Sequence, residues 1–243
     1  MLQRLDKLIS SQGSYTRKQA QQFIKDGLVR VDDTIVRDRG FHIDPDVSRI
    51  QLEGKDFLVE KYVYLMLNKP KGVVSATNDS SQKTVIDLVP DDLKKRNLFP
   101  AGRLDMTTTG FVLITDDGDF AHRILSPKNH IEKTYEARLA ESTNQQQLDT
   151  VANGIVLGDG TECLPAKLRL IEDGENPLVE IKICEGKYHQ IKRMFAAAGN
   201  GVIELKRTVM GKLPLDENLA EGECRRLSEE EIALIACRSD ECF

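Results

Sequence analysis

Apolar residues recur at helical spacing from the start of the chain. Leu2, Leu5, Leu8 and Ile9 share one face, and Gly13 stands where a glycine would stop the helix. Ala20, Phe23 and Ile24 make a second stripe over residues 17–25, with Thr16 placed as N-cap and Gly27 as the stop. Arg17, Lys18 and Lys25 fall mainly off that stripe and are free to meet phosphate. The period then changes from helical to two. Residues 28–31 and 34–36 read as a hairpin across Asp32-Asp33, and residues 47–52 as a further strand. A type I′ turn wants positive φ, which Asp tolerates less well than Gly, so the turn need not be of that type.

Residues 53–61 mix charge with little periodicity and read as a linker, which divides the chain into a small unit over 1–60 and a larger one over 62–243. In the larger part, residues 62–67, 111–114, 133–139, 155–157, 167–171 and 178–184 carry strand patterns. Val179, Ile181 and Ile183 fall on one face of the last of these. Residues 120–125, 145–151 and 190–198 carry helix patterns, and Ser228 with Glu231 forms a capping box ahead of a final helix over 232–236. Ile191, Met194, Phe195 and Ala198 form the apolar stripe of the 190–198 helix, which leaves Lys192 and Arg193 off it. Strands outnumber helices and alternate with them irregularly, which favours an α+β class over a doubly wound parallel sheet.

Charge changes the picture more than composition does. The net charge is -5, against a protein that coats nucleic acid indiscriminately. Its distribution is uneven, however: residues 1–30 and 187–212 are basic islands, and residues 215–243 are strongly acidic. Two basic islands on an acidic body suit an anionic polymer gripped at defined places, or else two solvated faces. The five cysteines lack a C-x-x-C pair and read as reduced thiols. The four histidines show no metal-ligand spacing, and no P-loop or dinucleotide fingerprint is present, so no metal and no cofactor is expected. The N-terminus lacks a signal-peptide layout and no run is long enough to span a bilayer, so a cytoplasmic protein without a membrane partner is expected.

One loop concentrates the chemistry. In Ala101-Gly102-Arg103-Leu104-Asp105-Met106-Thr107-Thr108-Thr109-Gly110 a carboxylate stands between an arginine and a run of threonines, ahead of an apolar strand. Taken alone, an aspartate before a Thr-rich turn is most often a cap.

Its companions argue for more. Arg4-Leu5-Asp6-Lys7, Thr16-Arg17-x-x-Ala20 and Gly27-x-Val29-x-Val31 resemble an S4 RNA-binding module. Asn68-Lys69-Pro70-x-Gly72, Gly102-Arg103-Leu104-Asp105-x-x-Thr108-x-Gly110, Glu132-Lys133-Thr134-Tyr135 and the run from Glu185 to Met194 stand in the order found in RsuA-type pseudouridine synthases. The resemblance covers the whole chain. It implies an S4 head followed by a mixed, mainly antiparallel-sheet catalytic domain, and an isomerase that turns uridine into pseudouridine by breaking the N–C glycosidic bond, turning the base and rejoining it through carbon. That reaction needs neither redox change nor energy input. The stretches around His122 to Pro127, Glu204 to Arg207 and Gly222 to Arg225 resemble most the members that act on 16S ribosomal RNA of the small subunit, free or in an assembly particle. A monomer is expected. The same reaction on 23S RNA, or a non-catalytic S4-type assembly factor, are the alternatives.

The resemblance assigns the reacting carboxylate to Asp105, by covalent attack or by removing a sugar proton. Burial would raise its pKa, so a fixed cation is wanted, and Lys192 matches that position. Tyr135 matches the tyrosine that stacks on the base, and Leu205 an apolar position beneath it. Arg103 is suited to filling the gap left by a flipped uridine or to holding phosphate. The expected RNA contacts are Arg4, Lys7, Arg17, Lys18, Arg103, Lys187, Arg193 and Arg207.

Overall fold

The computed structural model describes residues 2–45 and 48–238. Val47, read as the start of a strand, and Cys242 lie outside them. The described chain divides into two compact units, one of residues 1–63 with 89–98, the other of 64–88 with 99–243.

In the first unit, helices Leu5–Ser11 and Arg17–Asp26 pack on a four-stranded sheet ordered Thr34–Ile35, Val29–Val31, Ile50–Leu52, Lys55–Asp56. Thr16 caps the second helix with a full capping box to Gln19, and Gly27 ends it in the left-handed conformation at φ 73°. The first helix starts later than its apolar spacing suggests, because Gln3–Arg4 pairs with His42–Ile43 as a strand. Leu5, Ile9, Ala20, Ile24 and Val29 form the centre of the core. Val31 pairs with Thr34, and both intervening aspartates take positive φ, 47° and 67°. The two-residue turn is therefore left-handed at both positions despite lacking glycine. A hydrogen bond from the Arg49 N–H to Asp32 Oδ1 at 2.9 Å helps hold it. The stretch read as a linker carries the Lys55–Asp56 strand, and Phe57 and Val59 pack on this core. Its high charge hides that alternation.

The second unit is built on a nine-stranded sheet of α+β type. Its main path runs Lys167–Glu172, Leu178–Ile183, Lys133–Leu139, Val202–Met210, Thr109–Thr115, Tyr64–Lys69, Cys224–Arg226. All pairs are antiparallel except Val202–Met210 against Thr109–Thr115. Helices Gly118–Leu125, Gln145–Ala152, Gln190–Ala197 and Glu229–Ile235 accompany it, the last capped by Ser228 and Glu231 as the sequence suggests. Phe111, Leu113, Met66, Ala101 and Met210 are fully buried at its core. Among the cysteines, Cys163, Cys224 and Cys237 are free, whereas Cys184 is disulfide-bonded, a pairing that spacing along the chain does not disclose. No helix among the described residues is long and apolar enough to cross a membrane.

Candidate active site

The Asp105 loop bridges two strands of the sheet. Phe99–Ala101 pairs antiparallel with Thr109–Thr115, and residues 102–108 form the connection between them. Gly110, at φ 97°, lies directly against the neighbouring strand, where a Cβ would collide with the Arg207 carbonyl; glycine is required for that approach.

The loop is tied down from several sides. The Thr108 N–H donates to the Asp105 carbonyl at 3.0 Å, and the Gly72 N–H to the Met106 carbonyl at 2.8 Å. Ser75 Oγ donates to the Leu104 carbonyl at 2.9 Å and accepts from the Leu104 N–H at 3.1 Å. From beneath, Lys69 Nζ donates to the carbonyls of Thr108 (2.8 Å), Pro70 (3.1 Å) and Met106 (3.4 Å). Burial pushes the Lys69 ammonium down to about 8, against the attraction of Asp105 and Glu221. A buried lysine bonded to three carbonyls is a rigid cationic post under the loop, and no reading of spacing singled it out.

Five of the expected site residues meet in one pocket. Asp105, Tyr135 and Leu205 line a cavity of about 80 Å³ together with Arg103 and Lys187. The cavity shares Arg103, Asp105, Tyr135 and Lys187 with an open cleft of about 910 Å³. The topology explains the meeting. Val202–Met210 lies between Lys133–Leu139 and Thr109–Thr115, so Leu205 pairs with Ala137, Arg207 with Tyr135, and the Asp105 loop ends where the parallel pairing begins.

Lys192 is not on the carboxylate. It leaves the Gln190–Ala197 helix toward the loop and donates from Nζ to Thr107 Oγ1 at 2.6 Å. Asp105 instead faces His189, with Nε2 3.4 Å from Oδ1. His189 sits at φ 48° as the residue before that helix, and its ring stacks on exposed Tyr188 with centroids 3.8 Å apart. A positive φ at a bulky residue is sparsely populated and is found at sites that need a side chain in an unusual place. The sequence signal was available: His189 lies inside the motif that carries Lys192.

The residues expected to grip RNA fall into distinct settings. Arg207 is a correction. It is 2 % exposed, and its guanidinium donates from Nε to the Phe111 carbonyl at 2.7 Å and from Nη2 to the Gly102 carbonyl at 2.6 Å, with Nη1 3.4 Å from the Tyr135 hydroxyl. Two of its donors held by carbonyls and a third beside the Tyr135 hydroxyl make it a brace for the loop and for Tyr135. Arg193 pairs with exposed Asp159 at 2.5 Å and Lys187 with buried Glu185 at 2.9 Å, so both are partly exposed and held to carboxylates of the chain itself. The Asp159 carboxyl is held down at about 2 by Thr161 and Arg193. Arg103 is exposed at the rim of the cleft.

In the first unit Lys7 and Lys18 are exposed. Arg4 and Arg17 both reach buried Asp6, at 3.0 Å each, which also accepts from Gln21 at 2.8 Å. Burial alone would raise the Asp6 carboxyl; the bonds from Gln21, Arg4 and Arg17 outweigh it and hold it well below the usual range. Among the described residues no cluster of three or more His, Cys, Asp or Glu is arranged to hold a metal ion.

The RNA pseudouridylate synthase family profile matches residues 63–197, and the S4 domain profile matches residues 3–47. An uncharacterized RNA pseudouridine synthase of Bacillus subtilis, YtzG, is 43% identical over 96% of this chain and 98% of its own. The ribosomal small subunit pseudouridine synthase A of Vibrio cholerae is 42% identical over 96% of this chain and 99% of its own. A crystal structure of a pseudouridylate synthase superposes with a TM-score of 0.67 at 40% identity, covering 96% of this chain and 99% of that one. The chain belongs to the RNA pseudouridylate synthase family: it is a pseudouridine synthase, an isomerase, with an N-terminal S4 RNA-binding domain.

Proposed function

We propose that the protein isomerises a specific uridine of 16S ribosomal RNA in the small subunit, with Asp105 as the reacting carboxylate and without a cofactor. The observation that carries this reading is the convergence of Asp105, Tyr135 and Leu205 on one pocket. A uracil flipped out of its stack enters with one face on Leu205 and Tyr135, which brings its ribose toward Asp105. Asp105 then either attacks the sugar carbon as the N–C bond breaks or removes a sugar proton as the base leaves. The held base turns, its carbon bonds to the sugar as the Asp105–sugar bond breaks or the abstracted proton returns, and the proton lost from that base carbon is balanced by one taken up at the freed ring nitrogen.

The remaining residues position these parts. Lys192, tethered to the loop by its bond to Thr107, supplies positive charge near the carboxylate. Arg103, exposed at the rim, fills the gap in the RNA stack or holds a phosphate. The 16S assignment rests on relatives named for the small subunit at about the same identity across nearly the whole chain. Incubation with unmodified 16S transcript or precursor particles, followed by carbodiimide adduct formation and primer extension, tests it. A new stop in 16S RNA is expected. A stop only in 23S RNA reassigns the substrate, and no stop with folded protein on either RNA overturns the proposal.

A further inference from the structure

Lys133 is a buried cation with no assigned task. It is 5 % exposed, and among the described residues no hydrogen bond or ion pair reaches its ammonium. Lysines are almost never buried to this degree unless paired, because removing the charge from water without compensation is costly. Its neighbours do not relieve that cost. Arg207 adds like charge, and the cleft's two carboxylates are engaged elsewhere: Asp105 faces His189, while Glu185 pairs with Lys187 and accepts from Gln190 at 2.7 Å.

The placement is specific. Lys133 opens the Lys133–Leu139 strand and stands two residues before Tyr135, so both side chains leave the same face of the sheet. Both line the cleft of about 910 Å³ that is continuous with the Asp105 pocket. Across the strand pair, Tyr135 faces Arg207 and Lys133 faces Met210. The floor of the cleft beside the pocket thus carries two cationic side chains, Lys133 and Arg207. Burial, with Arg207 adding to it, pushes the ammonium down to about 8, so most of it stays protonated at neutral pH.

We propose that Lys133 is a binding residue for an RNA backbone phosphodiester next to the nucleotide whose base occupies the Asp105 pocket. The inference rests on the functional reading above. A polymer that delivers a base to Asp105 brings an anionic linkage on either side of it, and Lys133 supplies an unpaired cation on the floor of the adjoining cleft. Arg207, bonded to carbonyls, contributes its field to the same floor while Lys133 makes the contact.

The test measures binding of the full chain to a 16S transcript as a function of salt, for wild type, Lys133→Met, Lys133→Gln and Lys133→Arg, with melting temperature recorded alongside. Loss of one phosphate contact should weaken binding about five- to ten-fold at 0.1 M salt and flatten the slope of log affinity against log salt by about 0.7–0.9. Lys133→Arg should keep most of the slope. Lys133→Met should melt no lower than wild type, since an unpaired buried charge is replaced by an apolar chain of similar size.

A purely structural lysine gives the opposite pattern: lower melting temperature with an unchanged salt slope in both Met and Gln variants, which overturns the inference. A lysine that instead meets the uracil lowers the single-turnover rate and leaves the slope intact, and this too overturns it. Wild-type protein assayed in parallel separates the two claims. If it forms no pseudouridine in ribosomal RNA, the functional reading fails; if it does and the slopes match, the Lys133 assignment alone fails.

Discussion

Lys192 Nζ lies 2.6 Å from Thr107 Oγ1, two residues along the loop from the Asp105 carboxylate. The basic partner expected for Asp105 therefore reaches the loop and stops one side chain short of the acid. If its charge matters to the chemistry, removal of the ammonium and removal of the hydroxyl separate. Lys192→Met is expected to lower the single-turnover rate about 100-fold or more, the scale of a lost electrostatic contribution in an active site. Thr107→Val should change it by no more than about three-fold, because the lysine loses a tether and keeps its charge. Equal, large losses from both would make the hydrogen bond itself the essential element.

Arg207 braces the loop through the Phe111 and Gly102 carbonyls. Arg207→Met leaves the Phe111 and Gly102 carbonyls without their donor and should cost about 3 kcal/mol in urea unfolding. Arg207→Lys should recover part of that, since one ammonium cannot span both acceptors as the planar fork does. An unchanged unfolding midpoint in the Met variant would contradict the bracing role.

Two buried lysines link stability to pH. Lys69 and Lys133 are both pushed down to about 8 in the fold by burial, whereas an unfolded lysine titrates near 10.4. Between those values the unfolded chain binds more protons than the folded one, so each lysine makes stability rise with pH across roughly pH 8 to 10. The full effect is up to about 3 kcal/mol per lysine. The melting-temperature advantage of Lys133→Met over wild type should be largest below pH 8 and shrink toward pH 10. A constant gap over that range would mean that Lys133 does not lose its proton there.

The S4 helix offers a clean probe and a compromised one. Lys18 is exposed, whereas Arg17 also neutralises fully buried Asp6. Lys18→Glu should weaken RNA binding and flatten its salt dependence without changing stability. Arg17→Glu should do both and also destabilise the first unit, because it places an acid against a buried carboxylate. A Lys18→Glu protein with wild-type salt slope would remove this helix face from the RNA footprint.

What the sequence discloses and what it hides follow from the range of the interactions. Thr16 with Gln19, Gly27, and Ser228 with Glu231 are legible because a cap is decided within a few residues. The strand at 109–115 is legible because its residues are apolar on both faces. Val202–Met210, the strand between the Tyr135 and Asp105 elements, is not: it exposes Ile203 and buries Arg207, which inverts the usual pattern. Cys224–Arg226, pairing at the sheet edge with charged residues, is missed for the same reason. At the site, the motif around Asp105 announces itself, as do Tyr135 and Leu205 through the resemblance. Lys69 and His189 stand inside the quoted motifs, but their places, under the loop and beside the carboxylate, become visible only when segments far apart in the chain are brought together. The Asp32-Asp33 turn shows that neighbouring strands can impose a backbone conformation that local preference resists.

The central claim is that Asp105 carries the chemistry and is dispensable for holding RNA. Asp105→Asn keeps the size and shape of the side chain and removes its charge. Assayed by primer extension after carbodiimide treatment of 16S RNA, the variant should leave no pseudouridine stop while its RNA affinity stays within a few-fold of wild type. A variant that still produces the stop would contradict the account and return Asp105 to the role of a loop cap.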